Sequence, residues 1–270
     1  MTAFDQQPQG PRRTEVASVP AADPALPDVL GRTAVFLHAH PDDEAIFTGA
    51  AMRRLADRGA RVVLVTATRG EEGTSLRPLL RGQTLAARRT AELEHSCDVL
   101  GVARLILLGH RDSGMPGCPA NRHAAAFLSA DIGCIARQLA GLLEQEHAAV
   151  LVHYDSDGIY PHPDHLGVHT VGATAAALAG IPTYEATITN ACLTRHPDHL
   201  LARGKPAHWH LGAGRTSTDV AVHASAAEWS AKRSAMAAHA SQVPDDALRE
   251  DGAAVYGTEW FLRSTSGLLG

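Results

Sequence analysis

Short apolar runs alternate with longer segments of helical periodicity along most of the chain. The periodicity of apolar positions predicts helices from residue 43 onward, over 83–100, 124–146 and 229–240, and from residue 163 onward. The apolar runs predict strands at residues 35–37, 61–66, 104–108, 150–152 and 183–187, with a closing segment at 256–262. Strands that alternate with helices favour an α/β fold of the Rossmann-like, doubly wound kind with a mostly parallel sheet.

Domain organisation follows from length and from the first thirty residues. Residues 1–30 are rich in proline, alanine and small polar residues and show no steady period, which predicts a flexible N-terminal extension. Residues 31–270 are then expected to form one domain, which suits a chain of 28.5 kDa.

Charge and hydropathy exclude several kinds of partner. A net charge of −5 and an isoelectric point near 6.3 give no electrostatic reason to expect nucleic acid or an anionic membrane surface. The sequence shows neither a secretory signal nor a membrane-spanning apolar stretch. We therefore expect a cytoplasmic protein with a small-molecule partner, and the sequence leaves a homo-oligomer open.

Polar residues cluster where the first predicted strand ends. His40, Asp42 and Asp43 follow that strand, and Pro41 prevents it from continuing. Open α/β folds bind ligands at this carboxyl end of the sheet. An imidazole and a carboxylate three residues apart could bind one Zn²⁺ while Asp42 stays free to take a proton. The alternative is an ordinary helix start, because acidic residues are common in a first turn.

A second cluster follows the strand at residues 150–152. It contains Tyr160, His162, Asp164 and His165, and His165 falls in the first turn of the next predicted helix. Two strand ends of one sheet can converge. His40, Asp43 and His165 would then supply three ligands and leave a fourth position for water, as a catalytic zinc site requires.

Together these two clusters resemble the PIG-L/LmbE-like family of zinc-dependent N-deacetylases. The resemblance rests on AHPDDE at residues 39–44 and HPDH at 162–165, with further agreement at 66–73, 89–93, 108–115 and 239–242. It covers roughly residues 33–263 and implies an LmbE-like single domain. Family members remove an acetyl or other acyl group from the 2-amino group of a glucosamine unit. Carried over by position, the resemblance implies zinc on His40, Asp43 and His165, general base Asp42, and assistance from His162 and Tyr160.

The mechanism expected from this inventory is amide hydrolysis. Zinc lowers the pKa of water toward ~7, and Asp42 takes the proton and later returns it to the departing amine. Protonated His162 and the Tyr160 hydroxyl are expected to stabilise the oxyanion, and Asp164 is a candidate for orienting His162. Zinc is the expected metal as isolated, with Fe²⁺ an alternative in cells because two imidazoles and a carboxylate also suit iron.

Two further loops supply candidates for binding the sugar. Arg69 follows the second strand and could hydrogen-bond substrate hydroxyls, and Asp112 follows the third strand and could accept from them. An ordinary solvated turn is the alternative for each loop. The helix between these loops carries Arg88, Arg89, Glu92 and Glu94, a pattern that indicates an exposed charged face. His196 and His199 follow no clear apolar strand and are interpreted as ordinary loop residues.

The substrate is the least determined feature of the sequence. Ile46 and Phe47 follow the first motif where thiol-cofactor branches of the family carry polar residues. This difference suggests an apolar contact near the site and favours a deacetylase of secondary metabolism, as in antibiotic biosynthesis. Two alternatives stay open: an amidase of a mycothiol-type sugar–thiol conjugate, and a non-catalytic zinc- or carbohydrate-binding protein. The last would not need Asp42 beside the ligands.

Overall fold

A seven-stranded sheet forms the centre of the computed structural model, which describes residues 29–197, 199–201 and 215–264. The strand order is β3-β2-β1-β4-β5-β7-β6. The strands are β1 (Thr33–His38), β2 (Arg61–Thr66), β3 (Arg104–Leu107), β4 (Ala148–Tyr154), β5 (Thr183–Thr187), β6 (Val220–His223) and β7 (Thr258–Ser264). Most of the predicted extension at residues 1–30 lies outside the described residues.

The first five strands are parallel, which confirms the predicted fold class. β7 runs antiparallel between β5 and β6. The central strands are almost entirely buried, because parallel strands are covered by helices on both faces. This burial accounts for the continuous apolar runs that make β1, β2 and β4 visible in the sequence. β6 was not predicted.

The helices form two groups around the sheet. They are α1 (Asp43–Phe47), α2 (Gly49–Asp57), α3 (Leu85–Leu100), α4 (Ile132–Gln145), α5 (Pro163–Ala179), α6 (Asn190–Arg195), α7 (Ala226–Ala238) and α8 (Ala253–Tyr256). α2 and α3 pack against α7, whereas α4 packs against α5. In the described part of the chain, no helix combines the length and apolar character needed to cross a bilayer.

Two predicted helices differ from the observed ones. The helix expected from residue 43 is split in two, because Thr48 between α1 and α2 has a non-helical backbone. The helix expected over 124–146 begins only at Ile132, where the side chain of Asp131 accepts a hydrogen bond from the Cys134 amide. Before it lie 3₁₀ turns at Pro119–Arg122 and Phe127–Ser129. The apolar residues of the second turn made the predicted helix begin too early.

The topology places both sequence motifs at one point. β1 and β4 are neighbours, with β2 and β3 on one side and β5 on the other. The direction of strand order therefore reverses between β1 and β4, and open α/β sheets bind ligands at the carboxyl ends of strands at such a switch point. The 39–44 motif follows β1 and the 162–165 motif follows β4, so the fold itself brings the two motifs together.

Candidate metal centre and active site

Three side-chain atoms form a nearly equilateral triangle where β1 and β4 end. His40 Nδ1 lies 3.4 Å from Asp43 Oδ2, His165 Nε2 lies 3.3 Å from the same oxygen, and the two nitrogens are 3.3 Å apart. All three side chains are buried. The sequence predicted this set of residues, and the structure brings its members into contact.

A second hydrogen bond on each imidazole indicates which ring nitrogen faces the triangle with a lone pair. His165 Nδ1 donates to the Gly158 carbonyl over 2.9 Å, which leaves Nε2 unprotonated. His40 Nε2 lies 3.2 Å from Asp164 Oδ2, and a proton shared there leaves Nδ1 unprotonated. Partners behind the ring commonly fix the tautomer of a metal-binding histidine in this way.

This arrangement fits a divalent metal ion. Two nitrogen lone pairs and one carboxylate oxygen converge with no donor among them, and a proton could bridge only one edge of the triangle. A cation satisfies all three atoms at once. Ligand atoms around a tetrahedral ion with bonds of ~2.0–2.2 Å lie about 3.3–3.6 Å apart, which matches the observed edges. His40, Asp112, His162 and Asp164 form a second possible group, but there the His40 Nε2 proton already meets its carboxylate partner.

A proton on His40 is the alternative to a cation at this excess of acceptors, and the pKa values of the cluster show how strongly positive charge is favoured there. Burial lowers the pKa of His40, but hydrogen bonds to Asp112, Asp164 and Asp43 offset this and raise that pKa well above its usual value. Burial raises the pKa of Asp43, but the adjacent His165 and His40 hold it well below its usual range. The site therefore keeps its carboxylate ionised and attracts positive charge.

A hydrogen-bonded chain from β4 supports the carboxylate ligand. The Tyr154 hydroxyl donates to Asp43 Oδ2 over 2.9 Å and accepts from the Ala39 amide. His38 Nδ1 lies 3.0 Å from the same hydroxyl, and its Nε2 lies 2.9 Å from Thr48 Oγ1. Tyr154 and His38 were missed from the sequence, because both lie just beyond the apolar runs that predicted strands, with no signal to set them apart as members of the site.

Asp42 lies beside the triangle in an unusual backbone conformation. Its φ is 107°, in the left-handed half of the map that non-glycine residues seldom adopt. Arg89 Nη2 is 3.3 Å from Asp42 Oδ2. Burial raises the pKa of Asp42 to about 6, although Arg89 opposes the shift. A carboxylate with a raised pKa next to a metal centre is suited to carry a proton near neutral pH.

A cavity of about 200 Å³ opens next to these residues. Its polar lining includes His40, Asp42, Arg89, Asp112, Tyr160 and His162. His162 Nδ1 accepts from the Asp164 amide over 3.1 Å, so its Nε2 carries the proton. Burial, with a further contribution from His40, lowers the pKa of His162 to about 3. The expectation of a protonated His162 is therefore corrected, because its surroundings favour the neutral ring.

Comparison with known proteins assigns the chain. The model of a protein family described as PIG-L, GlcNAc-PI de-N-acetylase, matches residues 35–176, which is more than half of the chain. The chain belongs to the PIG-L family. This confirms the resemblance seen in the sequence, and the matched segment contains both motifs of the metal triangle.

Individual relatives of this PIG-L protein are deacetylases. The 1D-myo-inositol 2-acetamido-2-deoxy-alpha-D-glucopyranoside deacetylase of Thermobifida fusca (strain YX) is 38% identical over 240 residues, 78% of this chain and 84% of that one. Deacetylase 1 of the same description from Catenulispora acidiphila is 40% identical over 232 residues, 80% of this chain and 68% of that one. A solved deacetylase–teicoplanin complex aligns with TM-score 0.59 at 19% identity, covering 86% and 98%, and shows the fold. The chain is thus a deacetylase, a hydrolase of amide bonds.

Several other sequence-based assignments can now be placed in this PIG-L protein. Asp112 lines the cavity, where its Oδ1 accepts from the Gly114 amide and lies 3.8 Å from His162 Nε2. The Asp164 carboxylate hydrogen-bonds His40 and the Ser113 amide. The carboxylate therefore orients a ring of the metal triangle, whereas the expected contact with His162 is made by the Asp164 backbone amide.

The arginine at the cavity is Arg89 and not Arg69. The side chain of Arg69 is exposed and is not part of the lining. Arg89 is buried, donates to the Gly70 and Pro41 carbonyls, and reaches Asp42. The prediction that Arg89 and Glu92 belong to an exposed charged face was wrong, because both point inward from α3. Charged residues at helical spacing look the same in a sequence whichever way the helix turns them.

The apolar pair after the first motif lies behind the metal triangle. Phe47 is buried, with its ring 6.4 Å from those of Tyr154 and His165, and neither Phe47 nor Ile46 lines the cavity. Neither residue can contact the acyl group or the sugar in this cavity, so they give no reason to prefer a substrate of secondary metabolism. Among the described residues, neither His196 nor His199 joins a group able to hold a metal ion.

Proposed function

We propose that the chain removes the acetyl group from the 2-acetamido-2-deoxy-glucopyranoside of inositol. The observation that carries this proposal is the metal triangle with Asp42 beside it, in a chain about 40% identical to deacetylases named for that substrate. Because these relatives are named for an inositol glycoside, they favour the mycothiol-type alternative over a deacetylase of secondary metabolism. A non-catalytic binding protein would not need Asp42.

His40, Asp43 and His165 would hold the metal, which we propose to be zinc as isolated and Fe²⁺ as an alternative in cells. When bound, such an ion supplies Lewis acidity that lowers the pKa of water toward ~7 and polarises an amide carbonyl. The support from Tyr154 and Asp164 keeps the carboxylate and the His40 ring oriented for this role.

Asp42 would act as general base and then as general acid. Its carboxylate lines the cavity next to the triangle, so it can accept a proton from the attacking water and return it to the nitrogen of the departing amine. The raised pKa of about 6 suits both directions of transfer. Arg89 holds the carboxylate from the far side without being able to take its proton.

His162 and Tyr160 would stabilise the negative charge that develops on the acetyl oxygen. Neutral His162 presents its Nε2 proton near Asp112 at the cavity wall. Tyr160 lines the same cavity, and its ring centroid lies 4.2 Å from that of His165. Burial raises the pKa of Tyr160 well above its usual value, so its hydroxyl keeps the proton that it would donate.

The sugar would be bound by the remaining polar lining of the cavity. We propose Asp112 and Arg89 for this role, and we transfer to Arg89 the contacts that the sequence suggested for Arg69. We also propose that residues 31–270 act as one deacetylase domain preceded by an extension at residues 1–30.

The decisive experiment compares three substrates with one metal-loaded preparation. Release of free amine would be measured from the inositol glycoside, from N-acetylglucosamine and from a mycothiol-type conjugate, before and after chelation. We expect the highest kcat/KM for the glycoside and loss of hydrolysis on chelation. Preference for the conjugate would reassign the substrate, and no hydrolysis of any amide would refute the proposed function.

A further inference from the structure

The turn after α7 connects three elements around the active site. His239 Nε2 lies 2.6 Å from Glu44 Oε1 in α1. Ser241 donates from its amide and its hydroxyl to the Glu92 carboxylate in α3, over 3.0 and 2.6 Å. The Ser241 carbonyl accepts from the Leu76 amide in the loop after β2. His239 and Ser241 are fully buried, so these contacts are shielded from water.

Glu44 connects this turn to the backbone of Asp42. One of its oxygens, Oε2, accepts from the Asp42 amide over 2.9 Å. The other, Oε1, accepts from Ser96 Oγ over 2.5 Å and faces His239. Glu44 is fully buried, so no solvent replaces a missing partner. An acidic residue in a first helical turn usually serves its own helix, but here it is held by residues from α3 and the end of α7.

The hydrogen bond from the Asp42 amide to Glu44 holds a residue with a strained backbone. Asp42 has φ 107°, a conformation that a non-glycine residue keeps only when surrounding contacts hold it. The amide that Glu44 accepts from belongs to this strained residue. The Asp42 carbonyl is held as well, by the amides of Ala45 and Ile46. The conformation of Asp42 determines where its carboxylate points within the cavity.

We propose that His239 is a positioning residue: through Glu44 it holds the Asp42 backbone in its left-handed conformation and so aims the Asp42 carboxylate. This inference rests on the proposed function insofar as Asp42 is the base. His239 lies outside the matched segment of the family model and is not part of the cavity lining. Its route to the reaction is therefore Glu44 and the Asp42 amide, with no contact to substrate.

The test compares two polar replacements of His239 that differ by one methylene. The amide nitrogen of Gln takes about the place of imidazole Nε2 and can still donate to Glu44, whereas that of Asn stops short. His153→Asn is the matched control, because His153 is likewise buried, in β4, and its ring hydrogen-bonds the Tyr154 carbonyl instead of a residue of α1. Metal content and melting temperature are measured for every variant.

The first readout is hydrogen exchange at the Asp42 amide, followed by NMR on the metal-loaded protein. We expect His239→Asn to speed this exchange at least ~10-fold, while His239→Gln and His153→Asn leave it near the wild-type rate. This readout needs no substrate. It therefore tests the positioning even if the proposed function fails.

The second readout is the division between kcat and KM on the inositol glycoside. We expect His239→Asn to lower kcat roughly 10- to 100-fold, the scale of a small misplacement of a reacting group, with KM and metal content near wild type. His239→Gln should recover most of that loss. If His239→Asn does not fold, Glu44→Asp replaces it with the same expectation, because the shorter side chain cannot reach both partners.

Two outcomes overturn the inference while leaving the deacetylase function intact. One is an unchanged Asp42 exchange rate in a folded His239→Asn or Glu44→Asp protein. The other is equal loss of kcat in His239→Gln and His239→Asn, which would mean that the donor to Glu44 is irrelevant. Absence of hydrolysis by wild-type protein, with faster Asp42 exchange in His239→Asn, would instead refute the function and keep the positioning.

Discussion

Two buried clusters of charged groups contact α1, and they differ in whether every charge has a protein partner. In the first, Lys232 Nζ donates to Glu259 Oε1 over 2.6 Å and to the Ile46 carbonyl over 2.8 Å. The Glu259 carboxylate also accepts from the Ala50 and Ala51 amides at the start of α2. The metal triangle instead brings three acceptor atoms together, and although the Tyr154 hydroxyl donates to Asp43 Oδ2, no cation of the chain lies among them.

The difference teaches what each cluster needs in order to be stable. The Lys232–Glu259 cluster is complete within the chain, because cation, anion and backbone groups satisfy one another. Burial lowers the pKa of Lys232, and the Glu259 carboxylate opposes that shift and favours its charge. The triangle is incomplete within the chain, and an ion from outside must supply the positive charge. Buried charge therefore serves stability in one place and ligand binding in the other.

The largest effect is expected at the triangle. Asp43→Ala removes the one anionic ligand, so we expect loss of bound metal and a fall of activity to background, with the fold retained. Elemental analysis and amine release measure the two losses, and melting temperature checks the fold. A variant that still binds one equivalent of metal would mean that the second group, around Asp112 and Asp164, is the true site.

Disrupting the Lys232–Glu259 cluster should lower stability and leave metal binding and activity unchanged. Lys232→Met leaves the Glu259 carboxylate buried without its cation, and breaking a buried pair costs about 3–5 kcal/mol. We expect the free energy of unfolding in urea to fall by that amount. Protein that remains folded should keep its metal and its kcat. If Lys232→Met lost its metal at unchanged stability, the Lys232–Glu259 cluster would serve metal binding and not stability.

A third replacement separates binding from chemistry within the open site. Asp42→Asn keeps the shape and the contact with Arg89 but cannot accept a proton, so we expect full metal content and a loss of kcat of roughly 10²-fold or more. The measurement is steady-state amine release beside elemental analysis. Near-normal turnover would show that a group other than Asp42 is the base.

A smaller effect is expected from the two arginines near the cavity. Arg89→Lys keeps a positive charge but loses the planar fork that holds two carbonyls and Asp42, so we expect kcat/KM to fall by about 10-fold. Arg69→Ala should stay within about twofold of wild type, because its side chain is exposed outside the lining. If Arg69→Ala loses as much as Arg89→Lys, the original sequence-based assignment is restored.

The last effect appears only below neutral pH and concerns His153, a buried group that belongs to neither cluster. Burial, together with the nearby His169, lowers the pKa of His153 to about 4, whereas an unfolded histidine titrates near ~6.5. Between pH ~6.5 and ~4, His153 is therefore protonated in the unfolded chain but neutral in the folded one. The free energy of unfolding should therefore fall as pH drops from ~6.5 toward ~4, by up to roughly 3 kcal/mol from this residue.

His153→Gln should remove that part of the pH dependence. Urea unfolding of both proteins at several pH values measures it, and the wild-type curve minus the variant curve isolates the residue. Parallel curves across this range would show that His153 is protonated in the folded protein.

The sequence contains enough information to predict the metal triangle but little of what supports it. His40, Asp43 and His165 stand at the ends of clear apolar strands, and parallel strands share an edge, so local pattern and topology together bring them near one another. His239 reaches Glu44 across 195 positions of sequence, and no local period records such a contact. Arg89 was predicted to be a surface residue, because the spacing of charged residues shows which of them share a helix face but not whether that face is buried.

The position of β7 inside the sheet has a consequence for how the protein is made. During synthesis the ribosome releases every metal ligand long before Glu259, the acceptor for amides that lie 209 and 208 positions earlier. Until β7 inserts, β5 is an open edge that can pair with a strand of another chain, and Lys232 has no carboxylate. Folding of the sheet must therefore wait for β7, and a chain interrupted before residue 258 would carry its metal ligands yet present an edge prone to aggregation.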